Sequence, residues 1–191
     1  MATFEDLKRA NESIKTVDIK GKDYAEVSER IKAFRMVYPE GYIDTVIVSL
    51  DGGLCVMTAR CGYTTTDNDG MTYKVLLGTG TAYEKESSSF INKTSYIENC
   101  ETSAVGRALG MAGFGIDVSV RSAEEMKNAE LQQEALKPIT KAQVKSIKAL
   151  AETKGSAIED ICKYYNVEKL EDMTAQQYGE CLNMLNLKED K

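Results

Sequence analysis

The stretch YIDTVIVSLDGGLCVMTARC, residues 42–61, decides the fold class. Alternation along Tyr42–Leu50 sets Val46, Val48 and Leu50 on one face and Ile43, Thr45 and Ile47 on the other, the two-residue period of a strand. Asp51-Gly52-Gly53 supplies residues that accept the left-handed backbone of a tight hairpin, and Leu54–Cys61 returns. A second turn at Asp67-Asn68-Asp69-Gly70 leads into a third run, Met71–Tyr83. Strands joined by connections this short pair antiparallel, so the expectation is an antiparallel meander.

Outward from the meander the period changes. Upstream, Lys22 to Phe34 carries Tyr24, Val27, Ile31 and Phe34 at helical spacing, which predicts a helix over that span closed by Pro39 and Gly41. Downstream, a polar stretch, Glu84–Lys93, precedes TSYIENCETSAVGRALG, residues 94–110. Ser95 followed by Glu98 reads as a capping box. Ile97, Cys100, Ala104, Ala108 and Met111 then form an apolar stripe, broadened by Val105 and Ala112. Asn99, Ser103, Gly106, Gly110 and Gly113 make a second ridge of small residues. Each mid-helix glycine costs about 1 kcal/mol against alanine, so this helix is expected to admit a close neighbour.

Residues 123–139 read as a mostly helical linker ending near Pro138. Residues 140–191 read as a small module of three helices. Thr140-x-x-Gln143, Ser156-x-x-Glu159 and Thr174-x-x-Gln177 each fit a capping box ahead of an apolar stripe. Gly155 and Asn166 stand where helix C-termini take a left-handed residue. The expected fold is therefore α+β, an antiparallel meander packed by a long helix over residues 1–122, with a three-helix C-terminal module.

The chain has 191 residues, a net charge of −6 and no histidine. Without imidazole, the hydrolase chemistries that depend on it fall away, and a non-catalytic protein is expected. The five cysteines are widely spaced with no Cys-x-x-Cys pair, so buried reduced thiols are expected and neither metal nor other cofactor. The polar start, MATFEDLKRA, is no secretory signal and no run is long enough to span a bilayer; a cytoplasmic protein with no membrane partner is expected. The acidic balance argues against coating nucleic acid by bulk charge and requires any such site to be a local groove.

Several residues are candidates for chemistry. Gly78-Thr79-Gly80 lies in a strand pattern with no Gly-Lys-Ser/Thr after it, which reads as a bend rather than a phosphate loop. Glu101 falls near the middle of the apolar arc; it reads as a structural carboxylate ahead of an acid/base or metal-ligand role. Arg107 borders the glycine ridge, either as a surface ion pair or as a phosphate contact. Lys20, Lys22, Arg60, Lys74, Lys85 and Lys93 are dispersed around the hairpins, with Tyr63, Tyr73, Tyr83, Phe90 and Tyr96 nearby. Cations interleaved with aromatics suit a single nucleic-acid strand, because phosphates need charge and every base offers a stacking face.

Ile19-Lys20-Gly21-Lys22 leading into the upstream helix, and ENCETSAVGRALG, residues 98–110, resemble the annealing core of phage Erf-type proteins and of the recombination mediator Rad fifty-two. The resemblance implies a Rad fifty-two-like core that binds single-stranded DNA and anneals complementary strands in phage-type recombination. It implies assembly of the chain with itself as a ring or arc in a bacterial host cell. It assigns DNA contacts to Arg107, Lys22, Lys85 and Lys93, to which the pattern of interleaved cations and aromatics adds Arg60, Lys74, Tyr83 and Tyr96. The C-terminal module would then recruit a phage exonuclease or a host replication protein, or compete with DNA through its acidic residues. The alternative expectation is a phage interaction protein that inhibits a host factor without binding DNA.

Overall fold

A computed structural model describes residues 2–89, 91–119 and 121–188. The chain divides into a first unit that ends at Ala129 and a second that begins at Glu130.

The first unit opens with α1 (Phe4–Glu12), whose N-terminus is closed by a reciprocal Thr3–Asp6 capping box. Two short strands follow, β1 (Thr16–Ile19) and β2 (Lys22–Ala25), paired antiparallel about Lys20 and Gly21, both at positive φ. This corrects the expected helix start: Lys22–Ala25 is strand, and the helix, α2, runs Val27–Val37. The turn outweighs the apparent helical period, because Tyr24 and Ala25 are buried from an extended backbone.

The meander is β3 (Tyr42–Asp51), β4 (Leu54–Thr66) and β5 (Thr72–Lys85), in that order and antiparallel throughout. A β-bulge interrupts β3 between Ile47 and Ser49. Beyond it Leu50 pairs with Cys55, while Val46 pairs with Thr58, so Leu50 and Val46 face opposite ways. Strict alternation placed them together; an inserted residue moves everything after it to the other face.

α3 (Asn92–Met111) covers one side of this sheet. Ser95 is non-helical (φ −140, ψ 22) and the helix kinks there; the reciprocal Ser95–Glu98 bond is absent among the described residues. Cys55, Met57, Ala59 and Cys61 of β4, and Cys100, Ala104, Ala108 and Leu109 of α3, join Phe34 and Phe114 in one core. A Cβ at Gly80 would stand 2.5 Å from the Ala104 carbonyl oxygen, and one at Gly78 would overlap the Ala108 carbonyl. These two glycines bring helix and sheet backbones together, as the strand-bend reading of Gly78-Thr79-Gly80 implies only in part. On the other flank of α3, Gly106 is seated against Val27 of α2 and Ser122.

The α+β class with an antiparallel meander and a long helix is as expected. Seven α-helices lie among the described residues.

α4 (Ala123–Ala135) begins in the first unit, where Glu124 accepts from the Val27 amide at 3.0 Å. The second unit holds α5 (Lys141–Thr153), α6 (Ile158–Tyr164), a 3-10 turn at Leu170–Asp172 and α7 (Ala175–Asn186). Both boxes at Thr140 and Thr174 are closed reciprocally. The third is not: Ala157 is the N-cap of α6, and the Ser156 hydroxyl accepts from Lys188 Nζ at 2.9 Å. Val144, Ile147, Ile161, Leu170, Met173, Cys181 and Leu185 make a core of this unit's own. Gly155 and Asn166 take positive φ (60° and 53°), as expected.

Candidate nucleic-acid interface

With one side of the sheet under α3, the other carries the alternate residues of the same strands to solvent. Register sets them in rows. Asp44, Arg60 and Thr79 form one row; Val46, Thr58 and Thr81 the next; then Ser49, Val56 and Tyr83; then Asp51, Leu54 and Lys85. The Thr58 and Thr81 hydroxyls lie 2.9 Å apart. Tyr83 is 68% exposed; Val46, Val48 and, farther along the sheet, Leu76 are exposed as well.

Arg60 and Lys85 make no ion pair among the described residues. Lys74 is tied, with Nζ 2.9 Å from Asp44 Oδ2 and 4.4 Å above the Tyr42 ring. The Asp44 hydrogen bond raises the Lys74 ammonium above its ordinary pKa. Gly62 makes room for this arrangement, because Tyr42 crosses it to donate to the Val75 carbonyl at 3.3 Å. Arg60, Lys74, Lys85 and Tyr83 are thus brought onto one face.

The remaining candidates lie elsewhere. Arg107 projects from α3 toward the edge of β5, where Nε donates to Glu125 Oε1 at 2.6 Å and Nη1 to the Thr81 carbonyl at 3.2 Å. Its side chain is 41% exposed, but Glu125 is 8% exposed and already matches its charge. Lys22 lines a cleft of about 500 Å³ with Thr16, Tyr24, Asp117 and Ser119. Lys93 borders a cleft of about 440 Å³ at the β3–β4 turn with Gly53 and Glu86. A buried polar cluster holds that region: Asn92 Nδ2 donates to Glu84 Oε2 and Ser88 Oγ, both at 2.7 Å, and Asn99 donates to Asn92 Oδ1 at 2.7 Å. Tyr96 packs against the core, and Tyr63 stacks on Tyr38 at 5.1 Å. Phe90 lies outside the described residues. Glu101 is exposed, and the Thr45 hydroxyl donates to it at 2.6 Å, a helix-to-strand tie on the covered side.

Two residues that sequence reasoning missed organise this region. Arg30 is fully buried and donates to the carbonyls of Gly106 (2.8 Å), Ser119 (2.5 Å) and Arg121 (3.0 Å), which fastens α2 to α3 and to the segment after it. Burial lowers its pKa from the ordinary arginine value, with Glu125 and Glu124 opposing. Its place among Val27, Ala33 and Phe34 on the inner face of α2 was the available signal. Glu125 was legible as well. Ser122-x-x-Glu125 is a box of the type seen elsewhere in the chain, with the Ser122 amide donating to Glu125 Oε2 at 3.0 Å.

No described helix is long and apolar enough to cross a membrane. Residues 31–112 match a family described as Slr1353 N-terminal dsRNA-binding domain-like, a span somewhat under half of the chain. No curated protein matches the chain. The match corrects the resemblance to Erf-type and Rad fifty-two annealing proteins, since ENCETSAVGRALG lies within the matched span. The correction has a physical reason. Small residues along α3 are what close packing on Gly78, Gly80 and α2 requires, so the string reports a packing solution rather than an annealing family.

Proposed function

We propose that the first unit binds a single nucleic-acid strand across the open face of its sheet, and that it does so without catalysing a reaction. The observation that carries this reading is the set of Arg60, Lys85 and exposed Tyr83 on one solvent face, flanked by Lys74 and the Thr58–Thr81 hydroxyls. Cations for phosphates beside an aromatic for base stacking are the parts a strand-binding surface needs. The match of residues 31–112 to a family named for double-stranded RNA binding supports a nucleic-acid ligand of some kind. Annealing of complementary single-stranded DNA is the activity proposed for strands held this way, with several copies side by side joining sparse cations into a longer groove.

Fluorescence anisotropy of labelled single-stranded DNA, single-stranded RNA and duplex RNA tests the reading. Single strands are expected to bind, more weakly as salt rises. Tyr83→Ala should cost about 1–3 kcal/mol, roughly five- to 150-fold in affinity, and Arg60→Ala should flatten the salt dependence. Arg107→Ala should do less, because Glu125 already holds that guanidinium. Tighter binding of duplex RNA would replace the single-strand reading with a duplex one. Failure to bind any of the three at low salt would remove the nucleic-acid reading and favour a protein partner, to which exposed Val46, Val48 and Leu76 are suited.

A further inference from the structure

The three-stranded sheet has two edges, and they are finished differently. At the β5 edge the Arg107 guanidinium donates to the Thr81 carbonyl at 3.2 Å and to Glu125 at 2.6 Å, so a strand added there would have to displace both side chains. β3, at the other edge, is open along residues 46–51, where every residue is exposed. α3 lies chiefly over β4 and β5, and the Thr45 hydroxyl ties it to β3 through Glu101. From Val46 to Leu50 the strand carries no charge and no proline, the usual guards of an edge; only its bulge interrupts it.

The exposed residues of this edge are apolar on both sides of the sheet. Ile47 pairs with Met57 and Leu50 with Cys55, both buried, so these two belong to the side that α3 covers, yet they are 49% and 47% exposed. Val46 belongs to the open side, and Val48, within the bulge, is exposed as well. A helix or loop packed on one side would shelter half of these groups. A further strand shelters both rows at once and also pairs the outward N–H and C=O groups of the edge.

We infer that the added strand is β3 of a second copy, paired antiparallel about a two-fold axis near Ile47 and Val48. With the β5 edge covered, head-to-tail addition is closed off, and two copies meet through like edges. The register that keeps like faces together sets Ile47 opposite the second copy's Val48, Val46 opposite its Ser49 and Thr45 opposite its Leu50. Asp44 then meets the second copy's Asp51, and two cations compensate that pair. Lys74 Nζ is 2.9 Å from Asp44, and Arg60, beside Asp44 in the same row, makes no ion pair among the described residues. Charge is therefore balanced at both ends of the interface, which are equivalent by symmetry. The two sheets become one, with both open faces on the same side. This pairing goes beyond the nucleic-acid reading and does not depend on it.

Sedimentation velocity of the full chain without nucleic acid, across a range of concentrations, tests the inference. Wild type is expected to show a monomer–dimer equilibrium. Ile47→Lys/Val48→Lys brings four lysines together at the axis and should weaken the dimer about a hundredfold or more, with circular dichroism verifying the fold. Val48→Cys should cross-link to its own symmetry mate in oxidised glutathione, because neighbours at the axis lie within the Cα separation of about 4.4–6.8 Å that a disulfide takes. Met71→Cys, at a comparably exposed position ahead of β5, should not. The five native cysteines are buried and stay out of this reaction. Should the lysine variant fail to fold, the cysteine comparison decides. A wild-type monomer at every concentration would overturn the inference and leave a foreign extended peptide as the strand that β3 receives. A dimer that survives the lysine substitutions, or equal cross-linking at both cysteines, would overturn it too. Assemblies larger than two copies would overturn the two-fold closure.

Discussion

The two faces of the three-stranded sheet are built from alternate residues of the same strands, yet their demands are opposite. The covered face is Cys55, Met57, Ala59 and Cys61 on β4 and Gly78, Gly80 and Ala82 on β5, small groups against a helix backbone. The open face is Val56, Thr58 and Arg60 on β4 and Thr79, Thr81 and Tyr83 on β5, with side chains free to meet a ligand. Close packing dictates the first set and leaves the second unconstrained. A functional surface on this unit is therefore sought on the open face, even though the most distinctive string in the sequence belongs to the helix on the covered one.

The largest expected effect breaks the covered face. Gly80→Val would drive a branched side chain into the Ala104 carbonyl and the Arg107 Cβ, which only displacement of α3 relieves. A loss of about 3 kcal/mol or more is expected, read from the urea midpoint. Near-wild-type stability would mean that α3 does not approach β5 as described.

A smaller effect comes from the thiols of that face. Burial pushes Cys61 up to about 11 and Cys100 up to about 12, from an ordinary value of 9.0. The folded state holds these protons more tightly than the unfolded chain. The stability they contribute is therefore complete below about pH 9 and is lost as pH rises through the folded values. The urea midpoint should fall above about pH 9 more steeply in wild type than in Cys61→Ala/Cys100→Ala. Parallel profiles would show that the thiols do not titrate differently on folding.

The smallest effect sharpens the contrast. Tyr83→Ala, on the open face, should change stability by no more than about 0.5 kcal/mol while weakening strand binding. A large loss of stability would make Tyr83 a packing residue and remove it from the interface.

The meander was legible from alternation and turn residues alone, and two of the three C-terminal capping boxes formed as their spacing implies. Ser156-x-x-Glu159 did not form: α6 begins one residue later, with Ala157 as its N-cap, and the Ser156 hydroxyl accepts from Lys188, thirty-two residues away, a contact that local pattern cannot reveal. The β1–β2 hairpin was missed because Tyr24, Val27, Ile31 and Phe34 imitate a helical period across a strand–helix junction. The candidate site was legible as a set of residue types but not as a place. Arg60, Lys74, Lys85 and Tyr83 converge, whereas Arg107 is held by Glu125 and Tyr96 is packed away.

By itself the sequence determined the elements: strand alternation, glycine turns, helix caps and the small-residue ridge of residues 94–113 act over a few positions, within reach of local sterics and hydrogen bonding. The tertiary structure alone decided which side each residue serves. A single bulge after Ile47 reverses the faces of β3, and Arg30 is buried because three distant carbonyls need a donor. Those outcomes depend on contacts between residues far apart in the chain, which no local pattern encodes.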